Sequence, residues 1–557
     1  MPAQIPAARV RLIERIIGAA RGMTGNSGKA DTSAFLKRYF VGVAEEDLLA
    51  RHPQYLARVA LAHRRAGARR LAGHAVISIL DDGIGTGSQE PALYSPHTAV
   101  AVVTEDMPFL VDSLLLAFNS LGIGVHLILH PLFDIRRDRA GRMLSGSDSG
   151  SVRHESWQLF EVDRQIDPAR LQLLHSTLAT TLADVKAAVS DWQPMLRQAR
   201  TAMRDLSAAG VPHQAGAAQA RALIEWMAAG HFTFLGYRRY GLRRGARQDL
   251  LLPQAQSGLG ILNASRPRAA SPAPTAISGA LRREARAARA VLVTKANSRA
   301  TVHRGSYLDY VGVRTFDDRG RVTGEHRFLG LWTSSAYASS PRTIPLLKDK
   351  IDAAIGAFDA APGSHDAKAL AHVLETYPRD ELFQATVAEL VRSVRGIVNL
   401  YERSQVRLFA RRDPFGRFYS CLVYVPRDRY DTRVRLRIEA VLVGELGGQV
   451  AETQVQISES TLARLHVVVR LGPRQRARVD LARIERALAR AASTWQAGLL
   501  EALTAAMDEA TALQHWARFA PVFPAAYTER VPPAAALGDI AELLALAVSA
   551  GEGPVAA

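Results

Sequence analysis

The stretch from His97 to Trp192 constrains the chain most, because its hydrophobic pattern switches between the period of a strand and the period of a helix. Ala99 to Val103 is an apolar, β-branched run suited to a buried strand, and Asp106 and Pro108 end it. Phe109 to Leu121 then carries apolar residues at 110, 114, 118 and 121, a helical stripe closed by Gly122. Val125 to Ile135 reads as a second strand, Arg136 to Gly141 as a turn, Ser156 to Val162 as a third strand and Pro168 to Trp192 as a second helix. β-α-β-β-α at this spacing predicts the split βαβ, ferredoxin-like arrangement of small ligand-sensing domains.

At 557 residues the chain exceeds what one core serves, and roughly three or four units are expected. Pro6 to Ala75 has helical periodicity, with Val10, Ile13, Ile16 and Ile17 on one face, a turn-rich break at Gly22 to Ser33, and repeated Leu and Ala from Glu45 to Leu71. An Ala-, Gly- and Gln-rich linker at Ser207 to Gln219 leads to a short helix at Leu223 to Met227 and an aromatic strand, Phe232 to Tyr240. Gly258 to Ala285 reads as a loop, and strands follow at Val291 to Thr294, Leu308 to Phe316 and Val322 to Leu331, the last two joined by a hairpin turn at Asp317 to Gly320. Ile344 to Gly356, His365 to Leu374 and a long tract from Asp380 to Glu402 read as helices. Beyond them Val406 to Ala410, Phe418 to Val425, Thr432 to Leu446, Gln449 to Ile457, Arg464 to Arg470 and Leu481 to Met507 give β-β-α-β-β-α, another small α+β unit.

The net charge of +17 comes mostly from arginines scattered without a long basic block, so no nucleic-acid partner is expected. The densest cluster, ALRREARAARA at Ala280 to Ala290, is explained by a solvated helical face. The single cysteine, Cys421, excludes an internal disulfide framework and lies in the apolar run Tyr419 to Val425, where a buried thiol is expected. No apolar stretch approaches the roughly 20 residues that span a bilayer, and Met1 to Arg21 has no signal-peptide core. The chain reads as cytoplasmic, without a membrane partner.

Chemistry-bearing constellations are sparse. The string Ser257-Gly258-Leu259-Gly260-Ile261-Leu262-Asn263 lacks the third Gly of a dinucleotide-binding turn and runs into a Pro- and Ser-rich loop, so it reads as a turn. His365, Asp366, His372 and Glu375 lie close along one helix, with His372 and Glu375 at i,i+3, yet no further ligands are evident and a helix surface or interdomain contact is the preferred reading. Ser298, His303 and Asp309 are the residue types of a hydrolase triad without a nucleophile elbow.

Five peptides make a resemblance specific: HTAVAVVTEDMPFLVDS (97–113), HFTFLGYRRY (231–240), TKANSRATVHRGSYLDYVGV (294–313), SHDAKALAHVLETYPRDELFQ (364–384) and FARRDPFGRFYSCLVYVPRDRYDT (409–432). In this order they resemble the N-terminal part of the large bacterial NAD-specific glutamate dehydrogenases. That resemblance implies an α+β chain of several ACT-like antiparallel sheet domains joined by helical segments. It divides the chain into a helical leader (1–90), a first ACT-like domain (91–206), a second ACT-like or β-rich domain (220–340), a helical connector (341–403), a third ACT-like domain (404–515) and a linker cut short (516–557).

The family enzyme oxidatively deaminates glutamate to 2-oxoglutarate and ammonia with NAD. The resemblance implies that chemistry and cofactor lie in a catalytic domain outside this chain, leaving no catalytic, cofactor or metal residue here. It further implies that the partners are that catalytic domain and further copies of the chain. An amino-acid effector is expected at the first β-α junction, at Asp106, Phe109, Asp112 and Ser113, although Phe109 stands where such sensor domains commonly carry a Gly. The competing reading has Asp106 cap the helix and Phe109 pack in a core or interface. Phe234, Tyr237, Tyr307 and Tyr310 supply the stiff aromatics favoured at contacts between subunits or domains. The alternative for the whole chain is a free-standing ligand-sensing or scaffold protein without catalysis.

Overall fold

The computed structural model describes residues 7–23, 29–80, 95–144, 150–207, 214–263, 273–358, 360–361, 363–400, 403–458, 460–472 and 479–549. They form two compact units, Met1–Ser339 and Ser340–Ala557. Every strand pairing among the described residues is antiparallel, and no described helix is long and apolar enough to cross a membrane.

The first unit opens with α1 (Ala7–Arg21), α2 (Lys29–Phe40), α3 (Glu45–Leu49) and α4 (Pro53–Ala66), followed by β1 (Val76–Ile79), β2 (His97–Glu105), α5 (Leu110–Ser120), β3 (Val125–Leu129), β4 (Leu132–Arg137), β5 (Ser151–Asp163) and α6 (Pro168–Ser190). The sheet runs β1-β2-β5-β3, with β4 also on β5. The two helices and the first and last strands of the expected β-α-β-β-α core are present, but the single strand expected from Val125 to Ile135 divides into β3 and β4, and β4 runs on through Arg136 and Arg137, expected as turn. The position that a ferredoxin-like fold gives to a strand after its second helix is filled instead by β1, from upstream of β2.

Alternation along β2 explains its unbroken apolar run. Ala99, Ala101 and Val103 face one side and pack with the leader residues Ile16, Leu36, Tyr39 and Leu56. Val100 and Val102 face the other and pack with Leu114 and Phe118 of α5 and Leu178 and Val185 of α6. The helical leader is therefore one wall of the first domain, and this sheet is covered on both faces, where helices on a single face were expected. The difference arises because β5 is buried from Glu155 to Val162, and a strand buried on both sides needs two walls.

Buried charge joins the leader to the sheet. Arg70, just beyond α4, and Arg137, at the end of β4, both reach Glu155 of β5, and all three side chains are fully buried. Glu155 Oε1 accepts from Arg70 Nε at 3.0 Å and from Arg137 Nε at 2.7 Å, and Oε2 accepts from Arg137 Nη2 at 2.8 Å and from Trp157 Nε1 at 3.1 Å. The remaining guanidinium hydrogens go to the carbonyls of Gly67, Leu71, His74 and Gly141. Gly141 has φ 79°, and a Cβ there would lie 2.5 Å from the Arg70 carbonyl oxygen. Only glycine fits beside this clamp.

Next come α7 (Trp192–Asp205), α8 (Gln214–Trp226), β6 (Phe232–Arg243), β7 (Asp249–Pro253), β8 (Leu259–Gly260), β9 (Thr275–Ile277), α9 (Gly279–Arg286), β10 (Val291–Arg299), β11 (Tyr307–Phe316), β12 (Val322–Trp332) and α10 (Ser334–Ala338). The sheet order is β10-β11-β12-β6-β7-β9, with β8 on β6. It is a meander closed by β6, without the helical crossovers of a ferredoxin-like unit. The expected hairpin is present, with Asp317 N donating to Arg321 O at 3.0 Å and Gly320 at φ 71°.

The reading of Gly258 to Ala285 as loop missed β8, β9 and α9, while 264–272 lies outside the described residues. Arginines of the 280–290 cluster are internally engaged: Arg286 holds the buried Asp249 through two hydrogen bonds of 2.7 Å, with Arg282 at 3.2 Å from the same carboxylate.

The second unit begins with α11 (Leu347–Gly356), α12 (His365–Thr376), α13 (Arg379–Gln384) and α14 (Val387–Val398). The tract expected as one helix from Asp380 breaks at Thr386, whose hydroxyl accepts from Glu389 N at 3.3 Å while Glu389 Oε2 accepts from Thr386 N at 2.9 Å. This capping box starts a new helix. The last sheet comprises β13 (Arg407–Arg412), β14 (Phe418–Pro426), β15 (Gly448–Gln456) and β16 (Leu462–Leu471), with α15 (Thr432–Leu446) between β14 and β15 and α16 (Leu481–Ala491) after β16.

Its order, β13-β14-β16-β15, reproduces the β1-β2-β5-β3 order of the first sheet, again with the edge strand taken from upstream. Val434, Ile438 and Leu442 of α15 and Ile484 and Leu488 of α16 pack on its strands. Arg411 of β13 grips Glu381 of α13 through bonds of 2.8 and 2.7 Å. The helix expected from Leu481 to Met507 divides at Thr494, which caps α17 (Trp495–Ala506); α18 (Glu509–Phe519), α19 (Ala525–Thr528) and α20 (Ala536–Ser549) complete the unit.

Removing one partner of a buried ion pair strands the other charges. Glu155→Ala is therefore expected to cost about 3–5 kcal/mol in urea unfolding, whereas an exposed control such as Glu225→Ala stays within about 0.5 kcal/mol. Burial alone would raise the Glu155 carboxyl, but hydrogen bonds from Arg137 and Arg70 hold it below the usual range. A depressed carboxylate contributes stability above its unfolded value, near 4.3, that is lost as pH falls through the folded one. Acid titration of stability should show this loss in the natural chain and not in Glu155→Ala.

Candidate functional site

The first β-α junction was the expected effector site, and its geometry follows from how α5 begins. Asp106 does not cap the helix. It lies four residues before Leu110, its backbone N–H continues the sheet by donating to His154 O at 3.1 Å, and its side chain is exposed. Pro108 fixes the approach, and the cap position falls on Phe109, which adopts φ 71°, ψ 5° and offers no side-chain acceptor. A left-handed aromatic residue is uncommon and held only by surrounding contacts.

Those contacts come from the loop between β10 and β11. His303, itself at φ 73°, stacks near Phe109 with ring centroids 5.0 Å apart. Its backbone N–H donates to Ser113 Oγ at 2.9 Å, and its Nδ1 lies 3.3 Å from Asp112 Oδ2. Ser113 is fully buried, whereas Asp112 is exposed. The loop is anchored on both sides of His303: Val302 and Ala300 belong to the core shared with α5 and α6, and Thr301 Oγ1 donates to Asp184 Oδ2 of α6 at 2.7 Å. The structure thus gathers Phe109, Asp112 and Ser113 around one intrachain histidine and leaves Asp106 apart, near His130. Burial depresses His130, against the opposing pull of the Asp106 charge. Sequence reasoning missed His303 as the occupant of this junction; the Val302-His303-Arg304-Gly305 string carries no local signal of docking 190 residues away.

The other candidates are accounted for by internal contacts. Gly260 has φ 58°, and its N–H donates to Asp191 Oδ2 at 2.7 Å. The turn's N–H is thus taken by a carboxylate of the same chain. Phe234 and Tyr237 are buried in their own sheet, each ring within 6 Å of Phe328, and are core residues of this chain. Tyr307 and Tyr310 are half-buried; Arg299 lies over the Tyr307 ring, and the Tyr310 hydroxyl donates to Glu325. Asp309 holds Lys295 at 2.8 Å and the Trp332 N–H at 3.2 Å, while His303 faces Asp112, so Ser298, His303 and Asp309 form no triad. Glu375 accepts from Ser340 at 3.0 Å, and no group of three metal-ligating side chains is found among the described residues.

Two outcomes are expected. Ser113→Ala leaves the His303 N–H without its acceptor, a loss of about 1–3 kcal/mol, so hydrogen exchange across 299–306 should accelerate; unchanged exchange would refute the docking. Burial, with the Glu381 charge adding to it, pushes the Cys421 thiol up to about 12. Native chain at pH 8 should resist thiol labelling until urea unfolds it, and rapid native labelling would contradict a buried thiol.

Four family models match the chain: glutamate dehydrogenase ACT1 domain at 35–178, helical motif 1 at 344–403, ACT2 domain at 407–496 and helical motif 2 at 502–546. The NAD-specific glutamate dehydrogenase of Halomonas elongata is 37% identical over 459 residues, 81% of this chain and 28% of that protein. The Pseudomonas aeruginosa protein of the same description is 35% identical over 457 residues, covering 81% and 28%, and that of Mycobacterium tuberculosis is 30% identical over 508 residues, covering 87% and 29%. The chain spans less than a third of the length of these relatives. Through its two ACT domains and two helical motifs, it belongs to the NAD-specific glutamate dehydrogenase family.

Proposed function

We propose that this chain is the regulatory and assembling N-terminal region of an NAD-dependent glutamate dehydrogenase, and that another part of the polypeptide carries the hydride transfer from glutamate to NAD. The observation behind this reading is that all strand ladders among the described residues are antiparallel, whereas a dinucleotide site of this class needs a parallel βαβ crossover with a free Gly-rich turn. The nearest such turn is closed by Asp191. What the chain offers in place of a reaction site is a junction on ACT1 filled by His303. An amino-acid effector reaches the N-terminal amides of α5 only by displacing that histidine, which couples ligand binding to the β10–β11 loop and its sheet.

Assembly, in this reading, uses sheet edges and exposed helix faces, because Phe234 and Tyr237 are already committed to the core. Pure chain is expected to form no NADH from glutamate and NAD, and to sediment as a species larger than a monomer. Phe234→Ala should lower the melting temperature and leave the sedimentation coefficient unchanged. Glutamate-dependent NADH formation would overturn the division of labour; a strictly monomeric chain would overturn the assembling role.

A further inference from the structure

Arginines that reach into this fold at Glu155, Asp249, Glu325 and Glu381 are matched by carboxylates. One group nearer the surface, in which Arg197, Arg200 and Arg204 are exposed and Arg221 half-buried, is not. Arg197, Arg200 and Arg204 recur at three- and four-residue spacing along α7 and so share a face, and Arg221 of α8 meets them across an open cavity of about 700 Å3. Gln198, Met203 and two hydroxyls complete the described lining: Thr201 Oγ1 accepts from Arg204 at 3.0 Å, and Ser207 Oγ accepts from Arg221 at 2.9 Å. Among the described residues no acidic side chain lines the cavity and none of the four arginines forms an ion pair. Asp205, the one acidic residue of α7, is turned to His326 at 2.9 Å and Arg239 at 3.4 Å.

Like charges one turn apart destabilise a helix. Only Arg204 lies in the last turn, where the helix dipole favours a cation. Folding therefore gains nothing from this arrangement, and an anion would relieve it. We propose that the α7–α8 cavity binds a small anion bearing two or more phosphoryl groups. Guanidinium forks match phosphate oxygens in pairs. The rise of the helix spreads Arg197 and Arg204 over roughly 10 Å, enough for a short phosphate chain and more than a single carboxylate can neutralise. Nucleic acid is the weaker fit, because the cations line one concavity and none of its described lining residues is aromatic for base stacking. The assignment is independent of any effector at the ACT1 junction.

Titration calorimetry of the full chain with sodium pyrophosphate and tripolyphosphate, at constant ionic strength, tests it. Saturable binding at one site is expected, together with a rise in melting temperature. The double variant Arg200→Gln/Arg204→Gln should weaken binding by about tenfold or more, the equivalent of one lost charge-assisted hydrogen bond. Arg283→Gln, on the exposed surface of α9, should leave it unchanged. Should the double variant fold poorly, pyrophosphate is expected to protect Arg200, Arg204 and Arg221 of the natural chain from phenylglyoxal, read by mass spectrometry. Non-saturating heats, equal affinity in the folded double variant, absence of protection, or binding of a single-stranded oligonucleotide that pyrophosphate fails to compete would each overturn the proposal.

Discussion

A carboxylate taken out of water is costly unless hydrogen bonds and opposite charge replace its hydration. Glu155, Glu325 and Glu381 are all buried, and each is met by arginine: Arg70 and Arg137, Arg314 and Arg327, and Arg411. Glu325 is met from its own strand and the neighbouring one, whereas the other two join segments farther apart in sequence. Glu155 ties the end of the helical leader to the first sheet, and Glu381 ties the helical connector to the last one. In each of the three, burial alone would raise the carboxyl and the arginines pull it down. With two arginines on each of Glu155 and Glu325, part of the arginine excess is structural.

What was legible in the sequence was local. The Ala99–Val103 run, the stripe through Leu110, Leu114 and Phe118, the 317–320 turn and the β-β-α-β-β-α order of the last domain depend on neighbours within one or two turns, and all appear as expected. The two helix breaks were legible and missed: Thr386 with Glu389, and Thr494 ahead of an apolar helix, are both capping signals. Other features left no local trace. That β1 would close an edge of the first sheet, or that the leader would become its second wall, depends on contacts between segments tens of residues apart.

The candidate site shows the same divide. Asp112 and Ser113 stood out as polar residues at a helix start, and they do face a common partner, but that partner is His303. Asp106 resembled a cap only because helix starts favour aspartate; Pro108 and the left-handed Phe109 shift the true start beyond its reach. The turn at Gly258–Gly260 departs from the dinucleotide pattern in sequence, and in the fold its N–H is held by Asp191, a partner that no local signal announces.

The edge strands of the two ACT domains lead further. In both sheets the strand beside the central pair comes from upstream, β1 in one and β13 in the other. Neither sheet therefore waits for any strand beyond its second helix. As the chain leaves the ribosome from its N-terminus, each domain has every strand of its sheet in hand before the following segment is made. A module built this way can be strung in series with others, because no downstream strand is borrowed to complete its sheet.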